Sequence, residues 1–470
     1  MSTENAEKEN IKLSDKDREF REFALNANMW KVIFKVCTPL AIFQVVNHLF
    51  TILDTMMASH ISAQAVSTVA YLSQLQLMVS AIGTGLAAGS CMKISEAYGA
   101  GDYELVKKRI SSLITICFGI GLVVVMMLPF APMLLRITGT PENFISIGSR
   151  YFILSLLATV FGFFNNVYIA IERSRGKSKK IMFLNMGIVI IKLSLTAIFV
   201  YILHGDITMI AIATLISQFI LFAIAIINLN RKGDVFGFAF GYITMKKEVV
   251  SPMIHLSIPV IVEKIAFAMG KTVVNSMSKN YGELTVGALG ISNNIDGMVT
   301  SMQNGFQDGG AAIISQNIGG KRVDRALEAF KKLLIINVII GFIGWLGINI
   351  FIEPITYIFA NSVEGFNYEF QQTIIKVLRY DSFGSCMPLG INAAVMALMF
   401  GFGYTKLTLL INFCRVFVFR IPVLWALQNF TTLGSESVGI VMAVSNICVA
   451  ILSSTLAAVV IGKLKREGKI

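Results

Sequence analysis

From about Trp30 onward the chain alternates long apolar stretches with short polar loops. Twelve such stretches are predicted, near 32–58, 65–92, 110–135, 146–170, 180–203, 207–229, 252–279, 285–314, 331–359, 370–401, 405–428 and 436–462. At about 1.5 Å of rise per residue, each is long enough to cross a bilayer as a helix. A membrane barrel would show short alternating segments instead. The pattern predicts an all-α polytopic membrane protein. Before the first span lies a charged arm, residues 1–30, in which 15–28 predict an amphipathic helix and no cleavable signal peptide is visible.

The chain repeats. A step of 220 residues sets Pro39 on Pro259, Gly85 on Gly305, Gly89 on Gly309, Ser95 on Ser315 and Gly99 on Gly319. With small insertions Pro132 then meets Pro354, Asn165 meets Asn392, and Gly176 meets Gly403. The expected domains are two six-helix halves, 31–230 and 252–462, with a linker at 231–251 and a tail at 463–470. Each half starts and ends on the same side, so the repeats are parallel and related by a pseudo-two-fold axis along the membrane normal. Such an architecture places a cavity between halves and opens it to alternate sides, with Pro39 and Pro259 as candidate hinges.

Composition agrees: of 470 residues, 55% are hydrophobic and only 14% charged, with a mean hydropathy of +0.70. The net charge of +12 does not point to nucleic acid. The basic residues crowd alternate loops (Lys107, Lys108 and Arg109; Arg173 to Lys180; Arg231 to Lys247; Lys321 to Lys332) and the tail. The positive-inside rule then places both termini in the cytoplasm, in a multi-pass protein of the cell membrane. The six cysteines lie in or beside apolar spans without ligand spacing, and read as packing residues. No catalytic cluster, metal site or cofactor motif stands out, so the chain is not expected to be an enzyme. One chain carries both halves, which predicts a functional monomer.

Polar positions inside the spans carry the candidate chemistry. Gln44, Asn47, Thr51 and Asp54 recur at steps of three and four, on one helical face of the first span. An ionised Asp near the middle of a membrane helix costs about 2.5–3.5 kcal/mol on insertion scales, so that face looks into protein or a wet cavity. It either handles a proton or sodium ion or holds helices together. Glu263, Lys264 and Lys271 charge the seventh span, with Glu263 a second candidate for ion coupling. The eighth span sets Asp296, Thr300, Gln303 and Gln307 at helical spacing, too polar to face lipid. Asp296, Gln303 and Gln307, with Lys271, Lys192, Asn165 and Asn392, are the candidate substrate-cavity residues. Arg415 and Arg420 in the eleventh span read as structural, binding carbonyls freed by Pro422. The glycine pairs 85/89 and 305/309 read as close helix contacts.

Several stretches together resemble the multidrug and toxic compound extrusion (MATE) family. They are the first-span proline followed by LDTMMAS with Asp54, the loops EAYGAGD and ISQNIGGKRVDRA, and RVFVFRIP in the eleventh span. The resemblance covers about residues 30–462. It implies twelve helices in two bundles around a central cavity, and export of organic cations or other amphipathic compounds against protons or sodium. It also implies that Asp54 takes part in coupling. The sequence departs from one sodium-linked branch, which has a glutamate well along the seventh helix and an aspartate in the tenth. Here Glu263 follows Pro259 by only four residues, and the tenth span offers Asn392, with Asp381 nearer its start. The coupling ion stays open between H+ and Na+. The expected partners are the lipid bilayer and a lipophilic, cationic small molecule. A flippase or exporter of a lipid-linked sugar or anionic metabolite is the other reading from the same superfamily.

Overall fold

The computed structural model describes residues 13–59, 63–137, 140, 142–231, 233–362 and 365–468. The charged arm forms α1 (Asp15–Asn26), capped by Ser14. The first half then runs through α2 (Met29–Ser59), α3 (Ala63–Ala100), α4 (Tyr103–Met127), its short continuation α5 (Ala131–Ile137), α6 (Glu142–Ser174), α7 (Ser178–Ala197) and α8 (Ile207–Leu229). The second half holds α9 (Lys247–Ser278), α10 (Glu283–Gly319), α11 (Val323–Ile350), the short α12 (Ile352–Ala360), α13 (Tyr368–Gly401), α14 (Thr405–Phe413), α15 (Ile421–Phe430) and α16 (Glu436–Arg466). A two-stranded ribbon, Asn361–Ser362 with Gly365–Phe366, precedes α13. Eleven helical stretches among the described residues are long and apolar enough to cross a membrane. The one expected span outside these is the eighth, α10, whose 37 residues form one helix but carry too many polar side chains to count as apolar. Phe118, Met126, Phe183, Ile227 and Ile451 are exposed on the helix surfaces, as lipid-facing positions are.

The helices form two compact units. The first comprises Met1–Ala27, Leu49–Lys264 and Ser315–Arg322; the second comprises Asn28–His48, Ile265–Ile314 and Val323–Ile470. The units follow the sequence halves 31–230 and 252–462 except where stretches are exchanged. The opening of α2 groups with the second half, and the opening of α9 with the first. Glycines explain the exchange. In the first unit, Gly85 and Gly89 of α3 lie against Ile261 and Ser257 of α9, so close that a Cβ on Gly89 would come within 2.6 Å of the Ser257 backbone nitrogen. In the second, Gly305 and Gly309 of α10 lie against Ala41 and Cys37 of α2, where a Cβ on Gly305 would come within 2.5 Å of the Ala41 nitrogen. The 220-residue step relates every residue of one contact to its counterpart in the other. Each candidate hinge proline thus sits in a stretch gripped by a glycine pair from the opposite half. Both helices continue through their prolines.

The last turns of α3 and α10 meet in the first unit with the same symmetry. Gly99 lies on the Gln316 carbonyl and Gly319 on the Glu96 carbonyl, where no other side chain fits. Helix α1 packs beside this crossing. Its Asp17, 1% exposed, accepts from Arg175 Nη2 at 2.6 Å and Nε at 3.3 Å. Arg175 also reaches Asp234 at 3.1 Å and lies over the Phe236 ring. Burial, the largest single influence, raises the Asp17 pKa. The hydrogen bonds from Arg175 and Ser14 and the charges of Arg175 and Lys177 more than reverse it, holding the carboxyl below its ordinary value. Arg21 donates to the carbonyls of Tyr98 and Gly99 at 2.9 and 2.7 Å. The Phe20 ring covers Gly176, whose φ of 76° closes the turn after α6.

Candidate functional site

The polar face of α10 opens a cavity of about 300 Å³ inside the second unit. Its walls come from α9, α10, α13, the stretch between α14 and α15, and α16. Asp296, Thr300, Gln303 and Gln307 line it together because steps of three, four and seven share a helical face. Gln303 is seated by its amide, which donates to the carbonyls of Cys386 at 2.7 Å and Asn337 at 3.2 Å. Gly390 makes room for it: a Cβ there would lie 2.7 Å from Gln303 Nε2.

Opposite stands a π-helical stretch, Cys414–Arg420. In an α-helix two residues five apart point in different directions. The wider π turn, with bonds from i to i+5, brings Arg415 and Arg420 onto one side. Both then donate to the same atom, Asn446 Oδ1 on α16: Arg415 Nε at 2.9 Å and Arg420 Nη2 at 3.0 Å. Arg420 Nε also reaches Ser445 at 3.1 Å. Asn446 passes the connection on, donating to Ser385 Oγ at 3.1 Å, and Ser385 donates to Asp381 at 2.7 Å. Ser292 donates to the other Asp381 oxygen, also at 2.7 Å. The chain ends at Asp381, whose carboxyl lies near that of the cavity-lining Asp296.

Lys271 completes the ring. Gly270 lies against Val416 and lets α9 approach the π-helical stretch. Lys271 then faces the cavity beside Arg415 and Arg420, and Arg415 lies over the Phe267 ring at 5.3 Å. Among the described residues, three buried acceptor oxygens of the cavity lining have no hydrogen-bond donor: Asp296 Oδ2, Gln303 Oε1 and Asn392 Oδ1.

Of the residues expected from the sequence, Lys271, Asp296, Gln303, Gln307 and Asn392 therefore come together in one cavity. Arg415 and Arg420, read as structural, are anchored as a structural pair is and line the cavity as well. Asn165 is elsewhere, buried in the first unit and donating to the Gln218 carbonyl and side chain at 3.0 and 2.7 Å. Lys192 is half-buried on α7 of the first unit and is not among the cavity residues. The proposed coupling set is distributed. Gln44 and Asn47 belong to the second unit, Thr51 and the buried Glu263 to the first. Asp54 lies in α2, and its side chain is outside the described residues. Sequence reasoning missed Ser385, Ser445 and Asn446. For Ser445 and Asn446 the available signal was a Ser-Asn pair inside the largely apolar final span.

Comparisons with known proteins agree with this architecture. The MatE family model matches residues 39–198 and again 259–426, so its two matches open on Pro39 and Pro259. A probable multidrug resistance protein of Bacillus subtilis is 23% identical over 415 residues, 86% of this chain and 88% of that protein. The crystal structure of a MATE protein in complex with MaL6 superposes with a TM-score of 0.89 at 20% identity, covering 94% of this chain and 99% of that one. An outward-facing multidrug resistance MATE transporter gives 0.88 at 20% identity, over 97% and 99% of the two chains. The chain belongs to the MatE family, and is a multi-pass membrane transporter on the multidrug and toxic compound extrusion fold.

Proposed function

We propose that this protein is a secondary active exporter of small amphipathic compounds, organic cations among the expected classes, driven by inward flow of protons or sodium. The observation that carries this reading is the polar cavity inside the second unit, which places Asp296, Gln303, Gln307 and Asn392 together with Lys271 in a chain of the MatE family. Alternating access would run through the two proline stretches, each held by a glycine pair against which a bent helix can be repacked. The basic loops support cytoplasmic termini. Asp54, with Gln44, Asn47, Thr51 and Glu263, is proposed as the coupling set on the strength of its sequence position. The orphan oxygens of Asp296, Gln303 and Asn392 suit a proton or a hard cation equally.

The test is efflux of two dyes, ethidium as an aromatic cation and fluorescein as an aromatic anion, from cells expressing the chain. The sodium and proton gradients are collapsed separately. Export of either dye that stops with one gradient identifies that ion. Asp54→Asn is expected to reduce this export at least tenfold while the protein stays in the membrane, because it removes the titrating group at nearly constant volume. Gradient-independent movement, or none of either dye, overturns the reading.

A further inference from the structure

Resting on the reading of the second unit's cavity as the cargo site, we infer that its cargo is an amphipathic anion. The anionic group docks on Lys271 and Arg415, and the apolar body lies along Phe267 and Leu389.

The charge balance points this way. Lys271, Arg415 and Arg420 stand close enough to repel one another. Against these three basic groups stand two acidic ones, Asp296 on the cavity wall and Asp381 behind Ser385. The cavity keeps an excess of positive charge. Gathering like charges inside a membrane protein is unfavourable unless a counter-charge joins them.

Hydrogen-bond accounting gives the same answer. Arg415 uses Nε on Asn446 and one face on Phe267, and its two Nη groups carry no hydrogen bond among the described residues. The Lys271 ammonium has neither hydrogen bond nor ion pair there. The guanidinium is already fixed by Asn446, so its planar fork presents two parallel N–H groups to a carboxylate, sulfonate or phosphate without losing further freedom. Phe267, Leu389, Val274 and Met442 supply apolar wall, and about 300 Å³ is enough for a small amphiphile. A cationic cargo would meet three like charges at the same surface, which works against its binding.

The experiment is fluorescence anisotropy of fluorescein binding to the purified full-length protein in detergent, beside the dye efflux described above. Wild type is expected to bind fluorescein in preference to ethidium, and added salt to weaken that binding. Lys271→Gln and Arg415→Gln are each expected to weaken fluorescein at least tenfold and to tighten ethidium. Lys271→Arg, which keeps the charge, is expected to restore fluorescein binding and shows that loss in Lys271→Gln is not misfolding. Wild type that binds ethidium but not fluorescein, or variants that weaken both dyes alike, overturns the assignment. Salt-sensitive fluorescein binding without any efflux leaves the anion site standing and removes the exporter reading.

Discussion

Asn446 is the side chain on which the cavity turns. Its single oxygen takes a hydrogen bond from each of two arginines, and its amide reaches Ser385 and thereby the acid pair. Hydrogen bonds to charged groups contribute about 1.5–3 kcal/mol each. Asn446→Ala is therefore expected to lower the melting temperature of the detergent-solubilised protein by several degrees and to weaken fluorescein binding. Asn446→Asp retains an acceptor for both arginines and adds a negative charge. It is expected to melt nearer to wild type while its dye preference moves toward ethidium, which anisotropy reads directly. Five of the cavity residues were visible beforehand because a polar or charged group in an apolar span is conspicuous on energetic grounds. The pairing of Arg415 with Arg420 was not, since a five-residue step belongs to no α-helical face. Only the π-helical stretch makes them neighbours, and nothing in RVFVFR marks it.

Among the elements, α1 has the most testable attachment. The buried Asp17–Arg175 pair fastens it, and removing one partner of such a pair costs about 3–5 kcal/mol because the other charge stays buried alone. Asp17→Asn is expected to release α1, with faster tryptic cleavage at Arg18 and Arg21 in the otherwise folded protein. The pH dependence has a definite sign. The folded pKa of Asp17 is depressed, so its contribution is present above the unfolded value of 3.8 and is lost as pH falls through the lower folded value. Hydrogen exchange in α1, corrected for the intrinsic rate, is expected to rise only below the ordinary carboxylate range. The amphipathic pattern announced this helix, and Asn26 ends it two residues short of the expected boundary. Its dock was not legible, because Asp17 and Arg175 are 158 positions apart and neither is unusual in its own loop or turn. Helix α10 shows the reverse case. Its polar face weakens it as an apolar span, and that same face identified the cavity.

At the scale of the molecule, each unit contains one of two symmetrical clasps, α3 on the opening of α9 in the first and α10 on the opening of α2 in the second. In both, glycine brings one backbone against another, so a side chain cannot be absorbed by a rotamer change. Gly89→Val and Gly309→Val are each expected to cost about 1–3 kcal/mol through overpacking. The readout is the monodisperse fraction on size-exclusion chromatography, and a loss no greater than that from valine at Gly119 or Gly347, where an added Cβ meets nothing within 4 Å, would contradict it. The repeat made these glycines visible as equivalent pairs. It could not say which helix each would grip, because Cys37–Ala41 and Ser257–Ile261 stand in the same register and either would satisfy the pattern. That ambiguity bears on recombination. A crossover in the linker after Asn230, the obvious seam between the halves, separates Gly85 and Gly89 from the stretch they evolved against. Chimeras between relatives should therefore inherit the glycine pair of one half together with the proline stretch of the other, and a breakpoint set chosen by sequence halves alone divides both clasps at once.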